Sequence, residues 1–306
     1  MTRRELLQLT SGTMAAAVLP PAAAVVASAA TQSAPKPAPV LKMAVILSMV
    51  RPANAPVSEK FAILKRAGFD GVEISDADPA PVPELVRARD ETGVRIHGVI
   101  DPVHWKQRLS DPDPVVRAQG LAGLEAAIRQ AHAYGGTEVL LVPGQVSGGT
   151  ETHQHVWDRS TAEIRKVLGL AASLGVRICI ENVSNGFCYD PKGGSNQTAD
   201  QFVAYIDQFK SPWVGLYYDV GNHMVFGDPG AWIRTLGPRI VKLHIKDRIR
   251  AKNSTADVGM GEVDWGGVRA ALRDVGFHGW CTAEVNGGDE ARLTALRGQM
   301  QKALVG

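Results

Sequence analysis

The sequence predicts an α/β fold, an eight-stranded parallel (β/α)8 barrel, on three observations. Short β-branched runs alternate with longer helical patterns, and the alternation repeats about eight times. Several helical patterns stop at a glycine suited to a left-handed cap. Four acidic or imidazole side chains, Glu181, Asp219, His244 and Glu284, sit at or near the C-terminal ends of four separate strand-like runs. Strands alternating with helices of this length pair in parallel, and eight of them favour closure over an open doubly wound sheet.

Taken in order, strands are expected at 43–47, 71–75, 94–100, 138–143, 176–181, 214–219, 240–246 and 279–284. Helices are expected at 57–67, 82–92, 114–134, 153–174, 199–208, 229–236, 265–275 and 289–304. The glycine stops are Gly68, Gly93, Gly175 and Gly276, after the first, second, fourth and seventh helices. No GxGxxG follows the first strand. Gly259-Met-Gly261-Glu-Val-Asp264 has the look of a phosphate loop but comes late in the chain; it reads as a shaped turn whose Asp264 caps the seventh helix.

Residues 1–30 read as a twin-arginine export signal. Arg3-Arg4 precedes apolar residues and an Ala/Val-rich stretch, and Ala27-Ser28-Ala29 or Ser28-Ala29-Ala30 offers a small-residue cleavage site. Pro20-Pro21 interrupts the apolar stretch and argues against a membrane anchor, so no stable membrane association is expected after cleavage and the mature chain is expected in the periplasm. Residues 31–41 form a Pro/Ala-rich linker, and 42–306 are long enough for one catalytic barrel domain.

A net charge of +2 with mixed signs and no Lys/Arg run argues against nucleic acid and anionic membrane as partners. A small neutral or polar substrate fits better; oligomerisation with copies of itself is left open. Cys179, Cys188 and Cys281 show no CxxC spacing. Strand parity turns Cys179 the same way as Glu181, into the barrel, and sets Cys281 opposite to Glu284, so these two are not expected to pair as a disulfide.

Parallel strands around a barrel bring their C-terminal ends to one mouth, where two Glu, one Asp and one His make a mononuclear divalent-metal site. Oxygen and imidazole ligands suit Mn²⁺ or Mg²⁺, with Co²⁺ or Zn²⁺ also within reach. The tempting pair His153-Gln-His155 is not counted, because i,i+2 positions on a helix point in different directions.

Gly68-Phe-Asp-Gly-Val-Glu73, Leu109-Ser-Asp-Pro-Asp-Pro-Val-Val-Arg117, Ile180-Glu-Asn182, Tyr218-Asp-Val-Gly-Asn222, Leu243-His-Ile-Lys-Asp247 and Gly259-Met-Gly-Glu-Val-Asp-Trp265 extend over nearly all of the chain after the linker. Together they resemble the sugar phosphate isomerase/epimerase family of xylose isomerase-like TIM barrels, which includes hydroxypyruvate isomerase, ketose 3-epimerases and inosose dehydratase and, more distantly, the apurinic endonucleases. The resemblance implies metal ligands at Glu181, Asp219, His244 and Glu284, the four that placement selects independently. The chain departs from the endonuclease branch, with Asn222 where that branch has a histidine three residues after its Asp, and Asp264-Trp265-Gly266 lacking an Asp-x-His pair. His223 is likewise one position away from the histidine of the ketose 3-epimerases.

Moving a proton next to a ketone needs a Lewis acid on the carbonyl oxygen and carboxylates close to the carbon. Glu181 and Glu284 are the expected acid/base pair, acting through a metal-bound enediolate. Lys246 and Arg248 are expected to stabilise the enolate or grip a hydroxyl, and Glu73, His97, Asn222 and His223 to contact substrate. His104 and Trp105 would supply a hydroxyl contact and a sugar-stacking face. The expected activity is isomerisation or epimerisation of a free sugar, keto-sugar or polyol derivative, because phosphorylated sugars are mostly intracellular. A lyase using the same site, or a sugar-binding barrel without activity, are the alternatives.

Overall fold

Eight apolar, β-rich runs become the staves of a closed parallel barrel: β1 (Leu41–Ile46), β2 (Gly71–Ile74), β3 (Arg95–Ile100), β4 (Glu138–Leu141), β5 (Arg177–Glu181), β6 (Val214–Asp219), β7 (Ile240–Ile245) and β10 (Gly279–Ala283). The computed structural model describes residues 39–75, 80–252 and 254–306. The export segment and its cleavage site fall on residues 1–30, outside the described residues. Each stave pairs with its neighbours in chain order, and β1 closes the ring by pairing with β10 from Leu41↔Gly279 to Val45↔Ala283. The strands stop one or two residues before several of the expected ends, which leaves Ser75, Lys246 and Glu284 in the loops at the mouth.

Helices follow the staves and cover the outside: α1 (Val57–Arg66), α2 (Val82–Thr92), α3 (Pro114–Ala133), α4 (His153–Leu174), α5 (Asp200–Asp207), α6 (Pro229–Leu236), α7 (Trp265–Val275) and α8 (Glu290–Leu304). Gly68, Gly93, Gly175 and Gly276 all take positive φ, between 67° and 82°, ending α1, α2, α4 and α7 as the sequence predicts. Asp264 caps α7 by accepting from the Gly267 N–H. The main core lies between staves and helices, where Val45, Val72, Ile178, Leu216 and Leu243 meet Phe61, Leu124, Ile164, Phe202 and Trp232, all 2% exposed or less. Each large side chain buried there contributes roughly 1.5–3 kcal/mol.

The barrel interior is different. Its apolar part is small, centred on Leu140, Cys179 and Tyr217, and the rest of the lumen holds Glu73, His97, Glu138, Lys242, His244 and Thr282, all buried. Cys179 belongs to this inner cluster and Cys281 to the outer core; all three cysteines are buried and free.

One element was not expected. After β7 the chain forms a short antiparallel hairpin, β8 (Asp247–Ile249) with β9 (Ser254–Ala256), before the turn into α7. Asp247 fastens it: its buried carboxylate accepts from the N–H groups of Arg248 (2.9 Å), Gly259 (3.1 Å) and Val263 (2.9 Å) and from Trp265 Nε1 (2.9 Å). The glycine-rich turn therefore wraps a carboxylate of its own chain. Gly261 fits only because it lacks a Cβ, which would stand 2.3 Å from Asp247 Oδ1.

Candidate metal centre

The C-terminal ends of β5, β6, β7 and β10 bring together Glu181, Asp219, His244 and Glu284. One ligand atom of each lies within 4.8 Å of those of the others. His244 is the middle of the group: its Nδ1 is 2.8 Å from Glu181 Oε1, 3.6 Å from Glu284 Oε2 and 4.0 Å from Asp219 Oδ2. Its other nitrogen, Nε2, faces Glu73 Oε2 at 3.2 Å.

Local structure aims these atoms. Asp219 Oδ1 accepts from the backbone N–H groups of Gly221 (2.8 Å) and Asn222 (2.7 Å), which turns Oδ2 toward the group. Asn182, next to Glu181, holds the Asp219 backbone, while Asn222 Nδ2 donates to the Asn182 carbonyl at 2.9 Å. Lys246 donates to Glu284 Oε2 at 2.6 Å and forms an ion pair with Asp219 Oδ2 at 2.9 Å.

Three carboxylates and one imidazole are a hard oxygen and nitrogen set that fits a divalent cation such as Mn²⁺ or Mg²⁺. The electrostatics agree with that fit. Burial raises Glu181 to about 7, with Glu284 and Asp219 adding to the effect against the opposing pull of His244. Burial also raises Asp219. For His244 burial favours the neutral ring, but Glu284 and Glu181 outweigh it and hold the group well above the ordinary histidine value. Burial likewise opposes ionisation of Glu284, yet His244 and Lys246 hold it down to about 2. The cluster carries more negative charge than its own cations balance.

Beside the group lies a cavity of about 490 Å³, a size suited to a small molecule. Glu181, His244, Glu284, Lys246, Arg248, Asn222, His104 and Trp105 line it. His104 is 3% exposed and accepts from the Val142 N–H at 3.4 Å through Nδ1; burial lowers it to about 4, so its ring is neutral. Trp105, 54% exposed, sets its ring edge-on to His104 at 5.3 Å. A second cavity of similar size, about 500 Å³, opens at the N-terminal ends of β5, β6 and β7 between Arg177, Lys210 and Arg239. The four converging candidate ligand atoms lie at the first.

Three residues expected at the substrate do not line that cavity. Glu73 is fully buried beneath His244, bonded to its Nε2 and to the Tyr217 hydroxyl. His97 lies three residues below the end of β3, stacked on Trp280 at 4.6 Å and bonded to Lys242 and Thr282. His223 turns away from the mouth, bonds the Val183 carbonyl through Nε2 at 3.0 Å and packs against Tyr189 and Trp232. His153 and His155 also part company, as expected: His153 stacks on Phe187, and His155 completes the capping box of α4 with Thr152. Among the cavity residues that sequence reasoning missed are Ser75, Asp101 and Ser184.

A sequence profile described as xylose isomerase-like TIM barrel matches residues 61–303. The chain belongs to that family. L-ribulose-5-phosphate 3-epimerase UlaE of Salmonella paratyphi C is 28% identical over 240 residues, covering 74% of this chain and 81% of the relative. The protein of the same name from Escherichia coli O1:K1 / APEC is 25% identical over the same length and the same shares. Among solved structures, L-ribulose 3-epimerase superposes with a TM-score of 0.71 over 88% of this chain and 95% of that one, at 22% identity. D-allulose 3-epimerase from Methylomonas sp., in complex with D-allulose, gives 0.64 over 81% and 85%, also at 22%. At these identities the structural likeness is one of fold.

Proposed function

We propose that this xylose isomerase-like barrel is a divalent-metal-dependent isomerase or epimerase of a free sugar, keto-sugar or polyol derivative. The observation that carries the proposal is the pair Glu181 and Glu284: two carboxylates, one at the end of β5 and one just past β10, that line one cavity and converge on the same histidine. A site that only held a sugar has no need of two such groups on one reacting carbon. The names of the similar proteins, 3-epimerases of ribulose 5-phosphate, ribulose and allulose, support the same class of chemistry.

Glu181, Asp219, His244 and Glu284 would hold the ion. When bound, it supplies Lewis acidity to a substrate carbonyl oxygen and so stabilises charge that develops there. One of Glu181 and Glu284 takes the proton from the carbon beside the carbonyl, leaving an enediolate, and the other returns a proton to the opposite face, which inverts the centre. Return to the neighbouring carbon gives isomerisation instead. Lys246, on Glu284, places an ammonium beside the developing negative charge. Neutral His104 and the exposed face of Trp105 provide a hydroxyl partner and a stacking surface at the cavity wall.

The twin-arginine segment supports an unphosphorylated substrate, in contrast to the ribulose 5-phosphate of the named relatives, because an exported enzyme meets few sugar phosphates. The test is incubation of Mn²⁺-loaded protein in D₂O with D-allulose, D-tagatose, L-ribulose and L-ribulose 5-phosphate, read by NMR. Deuterium entering the carbon beside the carbonyl of a free ketose is the expected result. Exchange confined to the phosphate ester would overturn the free-sugar assignment, and no exchange in any of the four would overturn the activity.

A further inference from the structure

The lumen under the metal centre contains a continuous line of polar side chains that the proposed chemistry does not use. Lys242, fully buried on β7, forms an ion pair with Glu138 Oε2 at 2.6 Å and has two hydrogen-bond acceptors at its ammonium, His97 Nδ1 at 2.5 Å and the His97 carbonyl at 3.0 Å. Gly98 makes the room, since a Cβ there would stand 2.7 Å from Lys242 Nζ. His97 Nε2 is 3.1 Å from Thr282 Oγ1, which is 2.9 Å from the Tyr217 hydroxyl, which is 3.2 Å from Glu73 Oε2. Glu73 Oε2 faces His244 Nε2, also at 3.2 Å.

The proton inventory gives this line a direction. An ammonium has protons and no lone pair, so His97 Nδ1 accepts from Lys242 and a neutral His97 carries its proton on Nε2, aimed at Thr282. Burial and the neighbouring Lys242 charge hold His97 well below the ordinary histidine value, in keeping with a neutral ring. Tyr217 has one proton for two neighbours, and the carboxylate is the stronger acceptor. Its hydroxyl is placed to donate to Thr282 Oγ1 or to Glu73 Oε2, and the carboxylate holds the proton the more strongly. The line thus runs from an ammonium that only donates to the Glu73 carboxylate, which meets His244 as an acceptor.

Building on the metal reading above, we propose that this hydrogen-bonded chain from Lys242 to Glu73 is a positioning device that keeps a proton on His244 Nε2 and so presents Nδ1, the nitrogen facing Glu181, Asp219 and Glu284, as the ligand atom. A ligating imidazole usually donates its other N–H to a carboxylate, and losing that partner weakens metal binding about 10–100-fold. Here the carboxylate is itself oriented from the far wall of the barrel. Glu73 and His97 thus act through His244 without touching substrate.

Two measurements on the full-length protein, stripped of metal with EDTA, test the chain. Long-range ¹⁵N–¹H NMR reads the histidine tautomers, and the expected result is a proton on Nε2 of His97; a proton on Nδ1 overturns the direction of the chain whatever the metal does. Calorimetric titration with Mn²⁺ then compares the unaltered protein with Glu73→Gln, Tyr217→Phe and Thr282→Val. Glu73→Gln is expected to weaken binding about 10–100-fold, and each of the other two about 2–10-fold, the worth of one hydrogen bond. Loss of structure alone would lower the melting temperature and the number of competent sites but leave the affinity of the folded fraction unchanged. Affinity within twofold of the unaltered protein in all three variants overturns the proposal. An unaltered chain that binds no Mn²⁺ but shows the Nε2 proton on His97 would count against the metal reading and not against the direction of the chain.

Discussion

Asn182, one residue past β5, and Asp219, the last residue of the adjacent β6, are tied by a reciprocal pair of hydrogen bonds: Asn182 Oδ1 accepts from the Asp219 N–H at 2.7 Å, and Asn182 Nδ2 donates to the Asp219 carbonyl at 3.0 Å. The amide thus continues the sheet past the end of β5, where Glu181 turns toward the candidate metal centre. Removing it leaves a buried N–H and C=O without partners, at about 1–3 kcal/mol each. Asn182→Ala is therefore expected to fold with a lower melting temperature and, after dialysis against Mn²⁺, to retain less metal than the unaltered protein by elemental analysis. Metal content equal to that of the unaltered chain would show that Asp219 does not depend on this clamp.

Glu181 and Glu284 differ in surroundings but share a histidine, and the proposed activity needs both. Glu181→Gln and Glu284→Gln preserve shape while removing the basic oxygen. Each is expected to keep the circular dichroism of the unaltered chain and to slow turnover, or α-proton exchange, by about 10²–10⁴-fold. Turnover within a few-fold of normal in either variant would remove that residue from the acid/base pair.

The barrel and the convergence of its four candidate ligands were legible because both rest on strand ends. Alternation with helices fixes where strands stop, and the stops place Glu181, Asp219, His244 and Glu284 at one mouth. Depth along a strand is harder to read. His97 and Glu73 have the right residue types on the right strands, but the lumen of this barrel is polar well below the mouth, so an inward-facing histidine or glutamate there is not thereby at the substrate. His223 shows the limit in a turn: Asn222 faces the cavity and the next residue points into the packing behind it. The β8–β9 hairpin has strands of three residues, too short to produce a period. Asp101, one residue past the end of β3, could have been found by the criterion that selected the ligands.

The twin-arginine segment makes a separate demand. If Arg3-Arg4 directs export, Arg3→Lys with Arg4→Lys should leave an uncleaved precursor in the cytoplasm, while the unaltered chain is recovered from the periplasm with an N-terminus near Ala30 or Thr31. That route carries folded proteins, so the ion would be chosen before the chain meets competing periplasmic metals. Fractionation and N-terminal sequencing that found the double variant exported and trimmed as usual would exclude the twin-arginine route.

Asp101 offers a test that depends on pH and on no substrate. Its side chain lines the cavity yet the residue is only 2% exposed; Oδ1 accepts from the Val103 N–H at 3.0 Å, and Oδ2 is buried without a hydrogen-bond partner. Burial raises this carboxyl to about 6, against the pull of the Val103 bond. A carboxyl raised on folding binds its proton more tightly in the native state than in the unfolded one. Its contribution is therefore fully present below the unfolded value near 4 and is lost as pH rises to about 6, a change of up to about 3 kcal/mol, less whatever the open side of the cavity screens. Asp101→Asn keeps the Oδ1 acceptor and cannot ionise. In urea unfolding with EDTA present, its stability relative to the unaltered chain should rise between pH 4 and pH 7, and the difference should level off above that. A difference independent of pH across this window would mean that Asp101 is not held protonated by its burial.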